Sequence, residues 1–453
     1  MAQVLVIGNG ISGSTAAIEI RNRSDLDITM ISDEGLQPYA RTALMYLFMG
    51  QLRMQDIELH PEWFWVERKI KRILALVKCV DTLSKTVELD DGQRLSYDIL
   101  IVASGSKPNL LGCPGVELEG VGGLYHRKDL ERMEYHCNGL QRAVVVGGGL
   151  IGVEMAEMFA SRHIPVTFLV RENSFCNHFL PEEESNMVTQ HLLQHGIDLK
   201  LDTELIEIEG DEQGKVCAVC YSGDNRVSCG FVGITTGVSP NLPPFEPIGS
   251  IATNKGILVD EFLQSSVPGI FAIGDCAELT QTSEGRKSIE AVWYTGKMMG
   301  KVAAANICGE KMPYLPGTWY NSAKFFDLEY QVYGNIPLRE EAATGSLFWK
   351  HPSGKKSIRI AYQKSDALPV IGFNLIGIRY RQKQCIDWIE RKTPLKTVLA
   401  NLKSADFDSE FSDSYQSELM QLYNDRLRLA QEAPIEQPKN RSWLFSALFK
   451  TTK

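Results

Sequence analysis

Val4-Leu-Val-Ile-Gly8-Asn-Gly10-Ile-Ser12-Gly13-Ser-Thr-Ala-Ala17 decides how the rest of the chain is read. A run of apolar β-formers enters a Gly-x-Gly-x-x-Gly turn, and small residues suited to a helix follow. Each glycine has its own task there. Gly8 allows the tight bend, Gly10 lets a pyrophosphate approach the backbone, and Gly13 lets helix and strand pack closely. The phosphates then meet the first turn of the helix, where the macrodipole leaves roughly half a positive charge. A second strand that ends in acids, Asp27-Ile-Thr-Met-Ile-Ser-Asp33-Glu34, falls where a nucleotide-binding unit needs it.

The unit occurs twice. Ala143-Val-Val-Val-Gly147-Gly-Gly149-Leu-Ile151-Gly152-Val-Glu154 again reads strand, glycine turn, helix. Two such units in one chain imply two dinucleotides, one fixed and one exchanging.

The 453 residues suffice for two or three domains with real cores. Lys and Arg number 47 against 56 Asp and Glu, for a net charge of −9, which argues against nucleic acid as a partner. There is no apolar run of the roughly 18 residues that a membrane span requires. No leader pattern precedes the first strand, so the expected location is cytoplasmic or matrix-side. Ten scattered cysteines read as reduced intracellular thiols.

Farther along the chain, Pro38-Tyr39-Ala-Arg41-Thr-Ala-Leu44-Met-Tyr46 reads as a loop entering a helix, and Trp63-Phe-Trp65 as a surface aromatic cluster or domain contact. Tyr97-Asp-Ile-Leu-Ile-Val-Ala103-Ser-Gly105 is a buried strand that ends in small residues. Gly233-Ile-Thr-Thr-Gly237-Val-Ser-Pro240-Asn241 repeats that ending, and Ile270-Phe-Ala-Ile-Gly274-Asp275 places an acid directly after a glycine. From about residue 314 the pattern changes to separated strands and then helices.

These motifs, in this order, resemble the FAD-dependent pyridine-nucleotide oxidoreductases, the flavoproteins with two dinucleotide domains that are related to glutathione reductase. Within them, Tyr39-Ala-Arg41 and Asp56-Ile-Glu-Leu59 are similar to the branch of ferredoxin, rubredoxin and nitrite reductases. The resemblance implies an α/β fold of two Rossmann-like dinucleotide-binding domains plus a C-terminal α+β domain. The corresponding divisions are 1–112 and 246–313 for FAD, 113–245 for NAD(P)H, 314–432 for a C-terminal interface domain and 433–453 for a tail.

The resemblance also assigns roles. Gly8, Gly10, Ser12 and Gly13 would hold the FAD pyrophosphate, and Glu34, with Asp33 as competitor, the adenosine ribose. The backbone of Val77 would meet the adenine, and Arg127 the phosphate or ribityl region. Asp275 would meet the ribityl chain and Val292 the flavin ring, with Ala103, Gly105, Gly237 and Gly274 as further cofactor-binding positions. Gly147, Gly149 and Gly152 would hold the pyrophosphate of NAD(P)H, with Ile151 a further cofactor-binding position and Glu154 orienting the nicotinamide. Ferredoxin-reductase relatives usually carry a lysine at the position of Tyr46. A tyrosine hydroxyl can donate a hydrogen bond but cannot neutralise a reduced flavin at pH 7, which leaves Arg41 as the expected nearby cation. Arg41, Tyr46 and Glu154 are therefore the expected catalytic set.

Disulfide reductases of this family need a thiol on the helix after the first unit, and Arg41–Gly50 contains none. Cys217-Ala-Val-Cys220, the sole Cys-x-x-Cys, lies on an expected strand, where residues i and i+3 face opposite ways. No zinc or iron–sulfur spacing is evident, so no metal is expected. Three functions compete: electron transfer from NAD(P)H through FAD to a small acidic carrier such as a ferredoxin or rubredoxin; an oxidase or quinone reductase; and a redox-responsive flavoprotein acting through its partners. Arg171, which ends the second unit's acid-position strand, favours NADPH without excluding NADH. Residues 346–403 carry twelve basic side chains against three acids, a candidate face for an acidic carrier. In the tail, Leu444, Phe445, Leu448 and Phe449 share one helical face, suited to a membrane surface, a partner, or the chain's own last domain. Oligomeric state stays open.

Overall fold

The computed structural model describes residues 2–282, 285–408, 410 and 413–432. Its first unit is a parallel sheet. β1 (Gln3–Ile7) leads into α1 (Ile11–Arg23) and β2 (Asp27–Ser32); the short helix α2 (Leu44–Phe48) precedes β3 (Ile70–Leu74) and β4 (Ile99–Val102). Val4, Leu5 and Val6 are fully buried. A parallel strand covered on both faces has no polar side, which is why this stretch reads as an unbroken apolar run.

The second unit follows with β5 (Val121–Gly122), α3 (Arg127–His136), β6 (Ala143–Val146), α4 (Leu150–Ser161), β7 (Val166–Leu169), α5 (Glu182–Gln194), β8 (Asp198–Lys200) and β9 (Phe231–Ile234). Its parallel sheet has the order β8-β7-β6-β9-β5. The chain then returns to the first sheet. β10 (Ile270–Ala272) pairs with β4 and completes the order β10-β4-β1-β2-β3. The next helix, α6 (Trp293–Ile307), packs on α1. Glycine makes that contact close: a Cβ at Gly300 would lie 2.6 Å from the Ser12 carbonyl oxygen, and one at Gly296 2.5 Å from Ser12 Oγ.

The last unit is an antiparallel sheet, β11 (Tyr320–Phe325), β12 (Leu328–Gly334), β13 (Thr344–Lys350), β14 (Ser357–Gln363) and β15 (Val370–Ile376), in the order β11-β12-β15-β14-β13. α7 (Gln382–Glu390) packs against β12 and β15. The sheet is fastened to the second unit by a buried ion pair. Arg359 of β14 places Nε 2.7 Å from Glu184 Oε1 and Nη2 2.8 Å from Oε2, at the start of α5, and Nη2 also reaches Glu183 at 2.6 Å. Glu184 has no exposed side-chain surface.

Two expectations change here. Trp65 is fully buried and belongs to the first unit's core, whereas Trp63 is exposed, so the pair is not one surface cluster. Arg359 faces the interior, so the basic surface of the last unit is smaller than a residue count implies. The hydrophobic tail face at 444–449 lies outside the described residues.

Candidate active site

Each fingerprint turn is shaped by what a side chain would strike. Gly8 has φ +100°, and a Cβ there would overlap the Ala103 carbonyl; at Gly13 it would overlap the Gly8 carbonyl. Gly10, at the N-terminus of α1, meets nothing within 4 Å. The second unit repeats this. Gly147 has φ +114° and lies against Thr235, Gly152 lies against Gly147, and Gly149 again meets nothing within 4 Å. Each turn is thus walled by backbone on two sides and open above the middle glycine, beside helix N–H groups with no acid in the first turn. That is a fit for a pyrophosphate at both places. Ile151 is the second residue of α4, half-buried behind the second turn.

The residues expected around the first cradle form one network. Glu34 follows β2 and accepts from Arg41 Nη2 at 2.8 Å and from the Tyr39 hydroxyl at 2.5 Å. Arg41 Nη1 donates to the Tyr125 carbonyl at 2.6 Å, and the Arg127 backbone N–H donates to the Tyr39 hydroxyl at 3.0 Å. The Arg127 side chain turns instead to Glu131, 2.7 Å away. Burial opposes the Arg41 charge, but Glu34, Tyr39 and Tyr125 together outweigh it and hold Arg41 above its ordinary pKa. The Asp33 backbone carbonyl accepts from Lys128 Nζ at 2.9 Å.

Asp275 lies beyond the turn at Gly274, which packs on Ser12. Its Oδ2 accepts from Ser106 Oγ at 2.8 Å, and burial pushes its pKa up. Ser106 follows Ala103-Ser-Gly105, where Gly105 has φ +70° and approaches the Tyr125 hydroxyl. Val77 opens a neighbouring strand and is 9% exposed; Val292 caps the N-terminus of α6.

At the second cradle, Glu154 rises from α4. Burial, then the neighbouring Glu157, push its pKa up to about 7, and Lys324 works against them. Lys324 comes from β11, 167 residues from Glu157 in sequence, and places Nζ 2.6 Å from Glu157 Oε1. The same Nζ stands 5.4 Å from the centre of the Tyr46 ring. The cation beside Tyr46 and Glu154 is therefore Lys324. The sequence does not announce Lys324; Arg41, the cation expected near the flavin, is held by Glu34 and the Tyr125 carbonyl. Arg171 lies exposed after β7, with Nη2 3.5 Å from Glu172 Oε1. Gly237 has φ +102° and borders Asn109.

Two buried thiols border the cradles: Cys176 Sγ donates to the Gly148 carbonyl at 3.4 Å and Cys276, next to Asp275, donates to the Val102 carbonyl at 3.3 Å, and burial pushes both pKa values up. All ten cysteines are free. Cys220 donates to Glu209 Oε1 at 3.1 Å, and that hydrogen bond together with burial raises its pKa, away from a reactive thiolate.

Residues 2–300 match the pyridine nucleotide-disulphide oxidoreductase family. The chain belongs to that family. It is an FAD-dependent NAD(P)H oxidoreductase. An NADH oxidase of Methanocaldococcus jannaschii is 30% identical over 398 residues, covering 83% of this chain and 87% of that one. A probable ferredoxin reductase of Castellaniella defragrans is 27% identical over 356 residues, 76% of this chain and 86% of that one. Among solved structures, a ferredoxin reductase of Rhodopseudomonas palustris superposes with a TM-score of 0.74 at 23% identity, over 83% of this chain and 91% of that one; it shares the fold of two dinucleotide domains.

Proposed function

We propose that this oxidoreductase passes electrons from NAD(P)H, through FAD, to a small electron-transfer protein of the ferredoxin or rubredoxin kind. The observation that carries the reading is the polar set on and against α4: Glu154, Glu157, Tyr46 and Lys324, with no cysteine anywhere in Arg41–Gly50. No resident dithiol takes electrons from the flavin there. Bound FAD supplies a centre that accepts a hydride and gives up electrons one at a time.

The chain's own residues do the rest. Gly10 and Gly149 leave room for the two pyrophosphates, and the N-termini of α1 and α4 favour their charge. Ser12 and Gly274 pack together along the first cradle beside Asp275, and Glu34, which accepts from Arg41 and Tyr39, is the acid that would meet a ribose. Glu154, with a pKa of about 7, holds or releases a proton on its carboxyl oxygens near neutral pH. Lys324 keeps a positive charge beside it, which the tyrosine at position 46 cannot do.

A second reading has a specific support, the likeness to the archaeal NADH oxidase along most of both chains. Rapid mixing separates the two. The protein is reduced with NADH or NADPH without air, then mixed with oxygen or with an oxidised ferredoxin or rubredoxin. Reoxidation much faster with the carrier than with air supports the proposal; fast turnover with air alone replaces it with the oxidase.

A further inference from the structure

His191 and His195 are one helical turn apart at the C-terminal end of α5, and Asp327 sits in the turn between β11 and β12. These three side chains each offer a ligand atom, all within 4.8 Å of one another. His195 Nδ1 lies 2.9 Å from the His191 carbonyl oxygen. A carbonyl only accepts, so Nδ1 carries the hydrogen and Nε2 is the nitrogen left for a ligand. That Nε2 faces Asp327 Oδ1 at 3.2 Å. His191 Nε2 comes to 2.7 Å from the same oxygen, yet it is buried and makes no aligned hydrogen bond. Three lone-pair donors thus converge on one point.

We propose that His191, His195 and Asp327 bind a divalent transition-metal ion, with zinc the best fit, as a staple between the NAD(P)H unit and the last sheet. Two imidazoles and one carboxylate suit zinc better than calcium or magnesium, which prefer all-oxygen sets. The hydrogen bond from His195 Nδ1 is the outer-shell contact that fixes tautomer and ring orientation in known sites. Lys355 Nζ holds the other carboxylate oxygen, Oδ2, at 3.3 Å, so Oδ1 remains for the ion. Its positive charge, with Lys350 on the same cavity wall, lowers affinity relative to a neutral site. The cavity that His191 borders is lined also by Gln190, Gln194 and Ser353. The hairpin so pinned is the one that carries Lys324 to Glu157.

The test uses the full-length protein with its FAD, stripped of metal by a chelator and titrated with zinc chloride in equilibrium dialysis and thermal unfolding. One ion bound per chain and a raised melting temperature are expected. His195→Gln and Asp327→Asn should each weaken binding by more than about tenfold, and both positions are partly or largely exposed, so flavin content should be kept. Zinc-edge absorption spectra should show nitrogen and oxygen neighbours near 2.0 Å. Absence of saturable binding at micromolar zinc, binding unchanged in both variants, or sulfur neighbours in the spectrum would each overturn the proposal, the last by assigning the ion to cysteines.

Discussion

Lys324 Nζ lies 2.6 Å from Glu157 Oε1, and the pair joins the last sheet to the helix that bears Glu154. Glu157 is 7% exposed, and its other oxygen has no hydrogen-bond partner among the described residues. Lys324→Met should therefore strand a buried carboxylate and cost about 1–3 kcal/mol of stability. It should also remove the charge that holds Glu154 down. The pH profile of flavin reduction by NAD(P)H should then shift to higher pH, and Lys324→Arg should bring it back. An unmoved profile would show that Lys324 is structural alone.

Glu154 gives a pH dependence of its own. Its pKa is raised from the ordinary 4.5 to about 7 in the folded protein. Between those values the folded form binds a proton that the unfolded form releases. Stability therefore falls as pH rises through that window. Glu154→Gln should flatten the fall between pH 4.5 and 7, read by urea unfolding at several pH values, and should abolish any inflection near pH 7 in flavin reduction.

The glycine cradles separate binding from folding. A Cβ at Gly10 or Gly149 meets no protein atom within 4 Å, so valine at either position should leave the fold intact. Gly10→Val should lose most bound FAD, measured by absorbance at the flavin band. Gly149→Val should keep the flavin but raise the Michaelis constant for NAD(P)H by about tenfold or more. Retention of full flavin by the first variant would remove the FAD assignment from this turn. Arg171→Ala should raise the constant for NADPH far more than for NADH if Arg171 meets a 2′-phosphate; equal effects would reject that role.

Arg359 tests the joint between units. Removing one partner of a buried ion pair leaves the other charge uncompensated, at a cost of about 3–5 kcal/mol. Arg359→Leu should lower the melting temperature sharply, because Glu184 has no exposed side-chain surface and accepts from both Nε and Nη2. A change under about 1 kcal/mol would mean that water or the Asn374 amide, 3.3 Å from Glu184 Oε1, replaces the guanidinium.

The dinucleotide units were legible because local sequence dictates them. Buried parallel strands such as Val4–Ile7 and Ala143–Val146 need continuous apolar runs, and the turns need glycine where a Cβ would overlap backbone. What escaped was made by distant pairing. Nothing near Tyr46 in sequence announces that Lys324 will come to it, and charge counting cannot tell buried Arg359 from a surface arginine. The His191-x-x-x-His195 spacing was available, but its third partner, Asp327, enters only when the β11–β12 turn folds against α5.

The last prediction concerns the exit of electrons. Several of the twelve basic side chains in 346–403 are already paired: Arg359 with Glu184, Lys355 with Asp327, Lys356 with Asp413 and Arg379 with Glu329. Arg381 and Lys383 instead border a surface groove with Ile386 and Phe407, and Phe407 is 59% exposed. Apolar contact flanked by two cations, with Asp387 as the one acid on the same lining, suits an acidic carrier, which would be steered there with on-rates raised roughly 10- to 1000-fold at low salt. Turnover with the carrier should fall steeply with ionic strength, while flavin reduction by NAD(P)H changes little. The double reversal Arg381→Glu with Lys383→Glu should reproduce that loss at low salt. Adding Arg379→Glu should contribute less as a docking charge, since Arg379 is neutralised by Glu329, and should instead destabilise β12 by setting two acids together. A carrier reaction indifferent to salt and to the double reversal would place docking elsewhere and leave a small-molecule acceptor as the better reading.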